Sequence, residues 1–298
     1  MVVVDRFRIT DTLREVWRPL VALFLLDTLV TFAYVVLGWT WIVPAGLPLP
    51  LLGTGLAVFL GVRNNTAYAR WWEARTLWGA VLNNSRSYAR TLTLLLAPAE
   101  AAPLRHALVH HQIAWAHALR CFMRREDPAH DIASFLPPET LARVTKAANP
   151  PFAIQREMAE LLTRARHDGW LDGIEAAAVN TTLTALTDSQ GGLERIRNTP
   201  MPQQYAAFSR VFVTAYCLML PFGIVPDLNI LTPLGSAVIG FVFLALDESG
   251  RHLEDPFKRS VYDVPMSAIT RTIEIDLRQA VRDAEVPPPL HPVRGILR

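Results

Sequence analysis

Apolar residues fall along this chain in long blocks rather than in strand-like alternation. From Leu20 to Val43 the only charge is Asp27. An α-helix rises 1.5 Å per residue, so about 20 apolar residues cross a hydrocarbon core, and this block is long enough. It also exceeds the apolar run of about 7–15 residues in a signal peptide, and no small-residue cleavage site follows it. An uncharged connection, PAGLPLP, leads into Leu51–Val62. That stretch is too short to span alone but continues into Arg63 without a breaker. The pattern predicts one long helix that starts in the membrane and projects into water. Two later blocks, Val211–Val225 and Ile230–Leu246, are separated by PDLN and form a second hairpin, in which Pro221 and Gly223 are expected to end or kink the first arm. The pattern thus predicts four transmembrane helices in two hairpins.

Between the hairpins the period is helical. The long helix is expected to reach Pro98, followed by helices over Leu104–Arg125, Pro138–Ala148, Phe152–Arg166 and Asp172–Ile196. Pro200 and Pro202 stop the last of these. The tail after Leu277 ends in EVPPPLHPVRGILR, which favours an extended arm. No sheet, repeat or low-complexity tract is expected.

Composition supports a membrane protein. Of 298 residues, 51% are hydrophobic and 19% charged, against about 25% charged in soluble domains. The net charge of +2 gives no field suited to nucleic acid. The two cysteines, Cys121 and Cys217, lie in unlike contexts and suggest neither a disulfide framework nor a thiolate metal site. No Lys or Arg lies between Pro19 and Val62 or between Val211 and Gly250. Arg6, Arg8, Arg14 and Arg18 precede the first span, and Arg63, Arg70 and Arg75 follow the second. By the positive-inside rule both termini and the polar middle are cytoplasmic.

Catalytic motifs are scarce. GxSxG, HExxH, P-loop and GxGxxG patterns are missing, and the Gly191–Gly192 pair reads as a helix irregularity. His106, His110 and His117 lie at i, i+4 and i+11 on one predicted helix face, with His111 beside them. A zinc site needs three or four converging ligands, and this region offers no carboxylate or cysteine cluster at ligand spacing. No metal, cofactor or enzymatic activity is therefore expected. Asp27 inside a span serves either a function or a packing hydrogen bond. In the second span Thr54, Val58 and Val62 recur every four residues, among the small residues Gly53, Gly55 and Gly61. This face either packs inside the subunit or, repeated around a symmetry axis, forms an apolar neck of the kind that gates by dewetting.

Several blocks carry a family resemblance. FLGVRNNTAYARWWEARTLWGAVLNNSRSYAR, QIAWAHALR (Gln112–Arg120), ERIRNTPMPQQY (Glu194–Tyr205) and LEDPFKRSVYDVPMSAITRTIEIDL (Leu253–Leu277) resemble the bestrophins, especially bacterial ones. The Arg70–Trp71–Trp72 run and the Asp255–Pro256–Phe257 block are its most specific parts. The resemblance implies an all-α homopentameric channel for monovalent ions, each subunit giving four membrane helices and a large cytosolic helical region. It divides the chain into a first hairpin (1–62), a cytosolic region (63–204), a second hairpin (205–250) and a cytosolic C-terminal helix and tail (251–298). The expected setting is the bacterial inner membrane, with lipid, permeant ions and other copies of the chain as partners.

The resemblance also assigns residues. Thr54, Val58 and Val62 match the constricting neck positions, and Ile174 matches an apolar ring at the cytosolic exit. Animal bestrophins hold calcium just after the Asp-Pro-Phe block, but here that run reads KRSVYD with Asp263 as its sole carboxylate, so calcium gating is not expected. Animal members conduct chloride, and some bacterial relatives prefer sodium. Asp168, Asp172 and Glu175 flank the proposed exit and would concentrate cations there, which favours a sodium-preferring channel with a chloride channel or a non-conducting scaffold as alternatives.

Overall fold

The computed structural model describes residues 9–44, 46–293 and 295–297. Arg6 and Arg8 lie outside them. Ten helices are described: α1 (Ile9–Val35), α2 (Leu49–Leu95), α3 (Ala102–Arg124), α4 (Ala129–Ile132), α5 (Pro138–Thr145), α6 (Pro150–His167), α7 (Gly173–Asn198), α8 (Gln203–Leu228), α9 (Thr232–Leu253) and α10 (Met266–Ala280). Among the described residues the only β pairing is an isolated bridge between Val293 and Ile296.

The absence of a breaker after Leu51 has the expected result. α2 runs without interruption for 47 residues, about 70 Å at helical rise. The first block differs from expectation. α1 begins before Pro19, passes through it, and stops at Val35 rather than Val43. Gly38 takes φ +68°, a left-handed conformation that ends the helix and leads into a single 3₁₀ turn at Thr40–Ile42.

Pro221 does not end α8, which continues through it and Pro226 to Leu228. In a helix buried in lipid or protein the backbone partners that proline removes are replaced locally, so proline is tolerated there. The chain turns only at Asn229, at φ 48°. α9 then extends past Leu246 and carries Asp247, Glu248 and Arg251 within the helix.

Two compact units divide the chain, and α2 contributes to both. One comprises the described residues up to Trp71 together with Pro200–Asp255. In it α1, α8 and α9 pack on one another, and Leu56 and Leu60 of α2 join Leu23, Val213 and Cys217 in a buried cluster. Close approach relies on small residues. A Cβ on Gly53 would lie 2.7 Å from the Tyr216 hydroxyl, and one on Gly223 would collide with Leu49. The outward faces remain apolar: Leu25, Leu29 and Phe32 on α1 and Leu234, Val238 and Val242 on α9 are exposed. Such faces suit hydrocarbon rather than water. Thr10–Val35 and Ala207–Leu253 are the described stretches apolar and long enough to cross a membrane, at mean hydropathies of 1.6 and 1.9.

The other unit comprises Trp72–Thr199 and the chain from Pro256. Its centre is α3, whose Leu108, Val109, Ile113, Trp115 and Leu119 are fully buried. α6, α7 and α10 pack around it, and the second half of α2 adds Trp78, Val81, Tyr88 and Leu92. Some buried polar groups pair across helices, while the Trp78 indole N–H and the Tyr88 hydroxyl are buried without a hydrogen-bond partner among the described residues. Gln112 donates to Ser85 Oγ at 2.8 Å, and the Trp115 indole donates to Gln190 Oε1 at 3.1 Å. Gly191 and Gly192 lie inside a regular α7 rather than at an irregularity. Gly192 faces Leu77 of α2, whose Cδ1 would be 2.8 Å from a Cβ.

Candidate functional site

The first half of α2 is two-sided. Leu56, Leu60, Arg63 and Ala67 are buried, whereas Thr54 is exposed and Val58 and Val62 are 62% and 57% exposed. Beyond the adjoining backbone of α2 itself, no described atom lies within 4 Å of a Cβ on Gly55 or Gly61. The Thr54 hydroxyl donates to the Pro50 carbonyl at 2.8 Å, so its donor is used within the helix. The positions expected to form a neck thus share one face that the described residues leave largely uncovered.

Ile174, the second residue of α7, is 82% exposed. It sits inside a capping box: Asp172 Oδ1 accepts from the Glu175 amide at 2.7 Å, and Glu175 Oε2 accepts from the Asp172 amide at 2.9 Å. Two of the three acids flanking Ile174 therefore have a structural task at a helix N-terminus, where negative charge is stabilised in any case. Asp168 is exposed beside His167, 3.4 Å away.

Sequence reasoning placed Arg63 only as a flanking charge. In the structure it is 2% exposed and at the centre of a network. Its Nη1 donates to Asp247 Oδ1 at 2.5 Å and to Ser209 Oγ at 2.8 Å, while Nη2 and Nε donate to Glu254 Oε1 at 2.6 and 3.1 Å. Ser209 in turn donates to Asp247. Arg70 Nε donates to the Glu254 carbonyl at 2.8 Å. A buried arginine among apolar helices signals such partners, but the sequence does not reveal which carboxylates they are. Asp27 is fully buried between the helices with Ser236 of α9 facing it.

The histidine face divides. His106 and His110 turn their Nε2 atoms to the two oxygens of Asp283, each at 2.8 Å. His117 instead pairs with Glu274 at 3.2 Å, and His111 bonds the Ala107 carbonyl. The carboxylate missing from the sequence neighbourhood arrives from beyond α10. Burial pushes the His110 pKa below its ordinary value, with Asp283 opposing and His106 adding to the shift. Burial raises Asp283, but hydrogen bonds from His110 and His106 bring it net below the usual carboxylate value.

Beside the KRSVYD run lies a cavity of about 350 Å³ lined by Arg120, Arg124, Arg259, Glu126, Asp131 and Asp263, among others. Asp263 has company here, but the added carboxylates are committed: Asp131 to Arg120, and Glu126 to Arg259 at 2.8 Å. Ser260 donates to Asp263 through both its backbone N–H and its hydroxyl. Calcium takes six to eight oxygens, several of them anionic, and three guanidinium groups oppose it. These residues do not fit calcium.

The model of the bacterial and fungal bestrophin family matches residues 5–279. The chain belongs to the bestrophin family. It is 39% identical over 247 residues to the voltage-dependent anion channel-forming protein YneE of Escherichia coli K12, covering 83% of this chain and 80% of that protein. The counterpart from Ralstonia nicotianae is 37% identical over 237 residues, covering 79% and 76%. A crystal structure of a bestrophin homologue from Klebsiella pneumoniae superposes with a TM-score of 0.81 at 31% identity, covering 89% of this chain and 99% of that one. This bestrophin is accordingly a membrane ion channel and not an enzyme.

Proposed function

We propose that the chain is one subunit of a homopentamer in a bacterial inner membrane that conducts monovalent ions passively, with anions such as chloride as the permeant class. Four spans are assigned: α1, the apolar start of α2, α8 and α9. Both termini and the polar middle (63–204) lie on the cytoplasmic side, as does the C-terminal part (251–298). The observation that carries the reading is the uncovered Thr54–Val58–Val62 face, set against the packed Leu56–Leu60 face of the same helix. Around a fivefold axis these residues form a narrow apolar neck that wets and dewets. Ile174 supplies a second apolar ring.

The designation of the curated relatives supports anions over the sodium preference expected from Asp168, Asp172 and Glu175. The capping role of Asp172 and Glu175 weakens that expectation further. Sodium remains the second reading because the Asp168 carboxylate is exposed six residues before Ile174. The test is the reversal potential of purified protein in a planar bilayer under an asymmetric NaCl gradient. A value near the chloride Nernst potential is expected. One near the sodium potential overturns the anion assignment, and persistent silence favours a non-conducting scaffold.

A further inference from the structure

We propose that His106, His110 and Asp283 form a binding site for a zinc-type divalent cation that fastens the segment following α10 to α3. Their ligand atoms lie within 4.8 Å of one another. Two histidines at i and i+4 on one helix face are a spacing that presents both rings to a single ion. Here the rings are stacked with centroids 4.0 Å apart, and both Nε2 atoms already point at one carboxylate. Two imidazoles and a carboxylate, with a fourth position left to water, are a ligand set that zinc accepts. The His110 and Asp283 side chains are 13% and 9% exposed, which holds them in place, whereas His106 at 49% leaves a way in for the ion and its water.

The backbone delivers Asp283 deliberately. Arg282 adopts φ 59°, a left-handed conformation unfavourable for a residue with a Cβ. The Asp283 amide then closes back on the Arg278 carbonyl at 3.0 Å, capping α10 and turning the carboxylate towards α3. Arg278 Nη1 stands 3.5 Å from Asp283 Oδ2 and orients that oxygen. Zinc takes a neutral imidazole, and with both Nε2 atoms turned to the ion each ring must carry its remaining proton on Nδ1. Calcium and magnesium, which require oxygen donors, are poorly served by two nitrogens. The site lies within one compact unit, and its existence does not depend on which ion the channel conducts.

The test uses the full-length protein in detergent, stripped with EDTA and titrated with ZnCl2 by calorimetry, with elemental analysis after dialysis. One zinc per chain is expected at this site, with affinity falling more than about tenfold in His110→Ala and in Asp283→Asn. A Glu15→Gln/His252→Ala variant serves as control, because Glu15, Glu248 and His252 form the other described cluster with ligand spacing. It is expected to retain the tight zinc. Failure to bind zinc, or equal binding by the His110→Ala and Asp283→Asn variants, overturns the site. Zinc is also expected to slow hydrogen exchange across residues 279–286 in the wild type only. Unchanged exchange there overturns the fastening role even if zinc binds. His106→Ala, at the more exposed ligand, keeps the test available if the other variants fold poorly.

Discussion

Arg63 and Asp247, separated by 184 positions, form a buried ion pair whose Nη1 and Oδ1 atoms are 2.5 Å apart. The pair ties α2 to α9, and Glu254 extends it on the other edge of the guanidinium. Removing one partner of a buried pair leaves the other charge uncompensated and costs about 3–5 kcal/mol. Arg63→Met is therefore expected to lower the Tm of the detergent-solubilised protein sharply, and adding Asp247→Asn should recover part of the loss. Arg63→Lys should not rescue, because an ammonium cannot span two carboxylates as the planar fork does. Strictly additive effects of the two substitutions would show that the pair contributes nothing.

The neck assignment makes a separate prediction. Val58 and Ile174 contribute almost nothing to the core of their own subunit, being 62% and 82% exposed. Val58→Ala and Ile174→Ala should thus leave thermal stability within about 0.5 kcal/mol, as for ordinary surface changes. Both should nevertheless raise single-channel conductance or shift reversal potential, because a wider aperture stays wet more of the time. Unaltered currents in both variants would remove these residues from the ion pathway.

These two cases show what the linear sequence carried and what it did not. The single long α2 was legible because nothing between Leu51 and Leu95 interrupts a helix, but the spacing of Thr54, Val58 and Val62 left open whether that face packs inside the subunit or stays uncovered. The helix stop at Val35 was not, since it depends on Gly38 entering a left-handed conformation inside an otherwise apolar block. Arg63 looked like a topology marker because charge near a span end usually is one. Its partners lie more than 140 positions away and were invisible to any local pattern. The histidine face was legible as a face, but its carboxylate sits 173 positions beyond His110 in a stretch read as an extended arm. Helical period finds surfaces; it cannot find what the tertiary fold brings to them.

Cys121 offers a prediction from electrostatics. Its thiol is fully buried, which pushes its pKa up to about 11 against the opposing influence of Arg120. The nucleophile in alkylation is the thiolate. A rise from the ordinary 9.0 reduces the thiolate fraction at neutral pH by roughly 100-fold. In a Cys217→Ser background, iodoacetamide should label Cys121 only after denaturation. Rapid labelling of the native protein would show that the thiol is open to solvent or carries a lower pKa.

Glu274 predicts the acid limit of stability. Burial raises its pKa, but the hydrogen bond from His117 and the charges of His117, Arg271 and Arg278 bring it net below the usual 4.5. A depressed carboxylate stabilises the fold fully above its unfolded pKa, and this contribution is lost as pH falls through the lower folded value. Tm should consequently decline below about pH 4.5. Glu274→Gln should have a lower Tm at neutral pH and a flatter acid branch. An equally steep acid branch in the variant would assign acid denaturation to other carboxylates.

The acids around Ile174 allow charge to be separated from structure. Asparagine caps a helix about as well as aspartate, so Asp172→Asn keeps the cap while deleting one negative charge per subunit. Asp168 takes no part in the capping box, and Asp168→Asn removes charge without a structural cost. If anions permeate, deleting both charges lessens repulsion at the aperture, so conductance rises and the reversal potential stays near the chloride value. If cations permeate, the same double variant loses the field that gathers them, and conductance falls while selectivity weakens. Recording Asp168→Asn/Asp172→Asn under a NaCl gradient at about 10 mM and 500 mM ionic strength sharpens the distinction. A through-space effect fades as the Debye length shrinks from about 30 Å to a few ångströms, whereas a change in aperture shape persists. A conductance that falls at low salt and recovers at high salt would therefore reassign this bestrophin to cations.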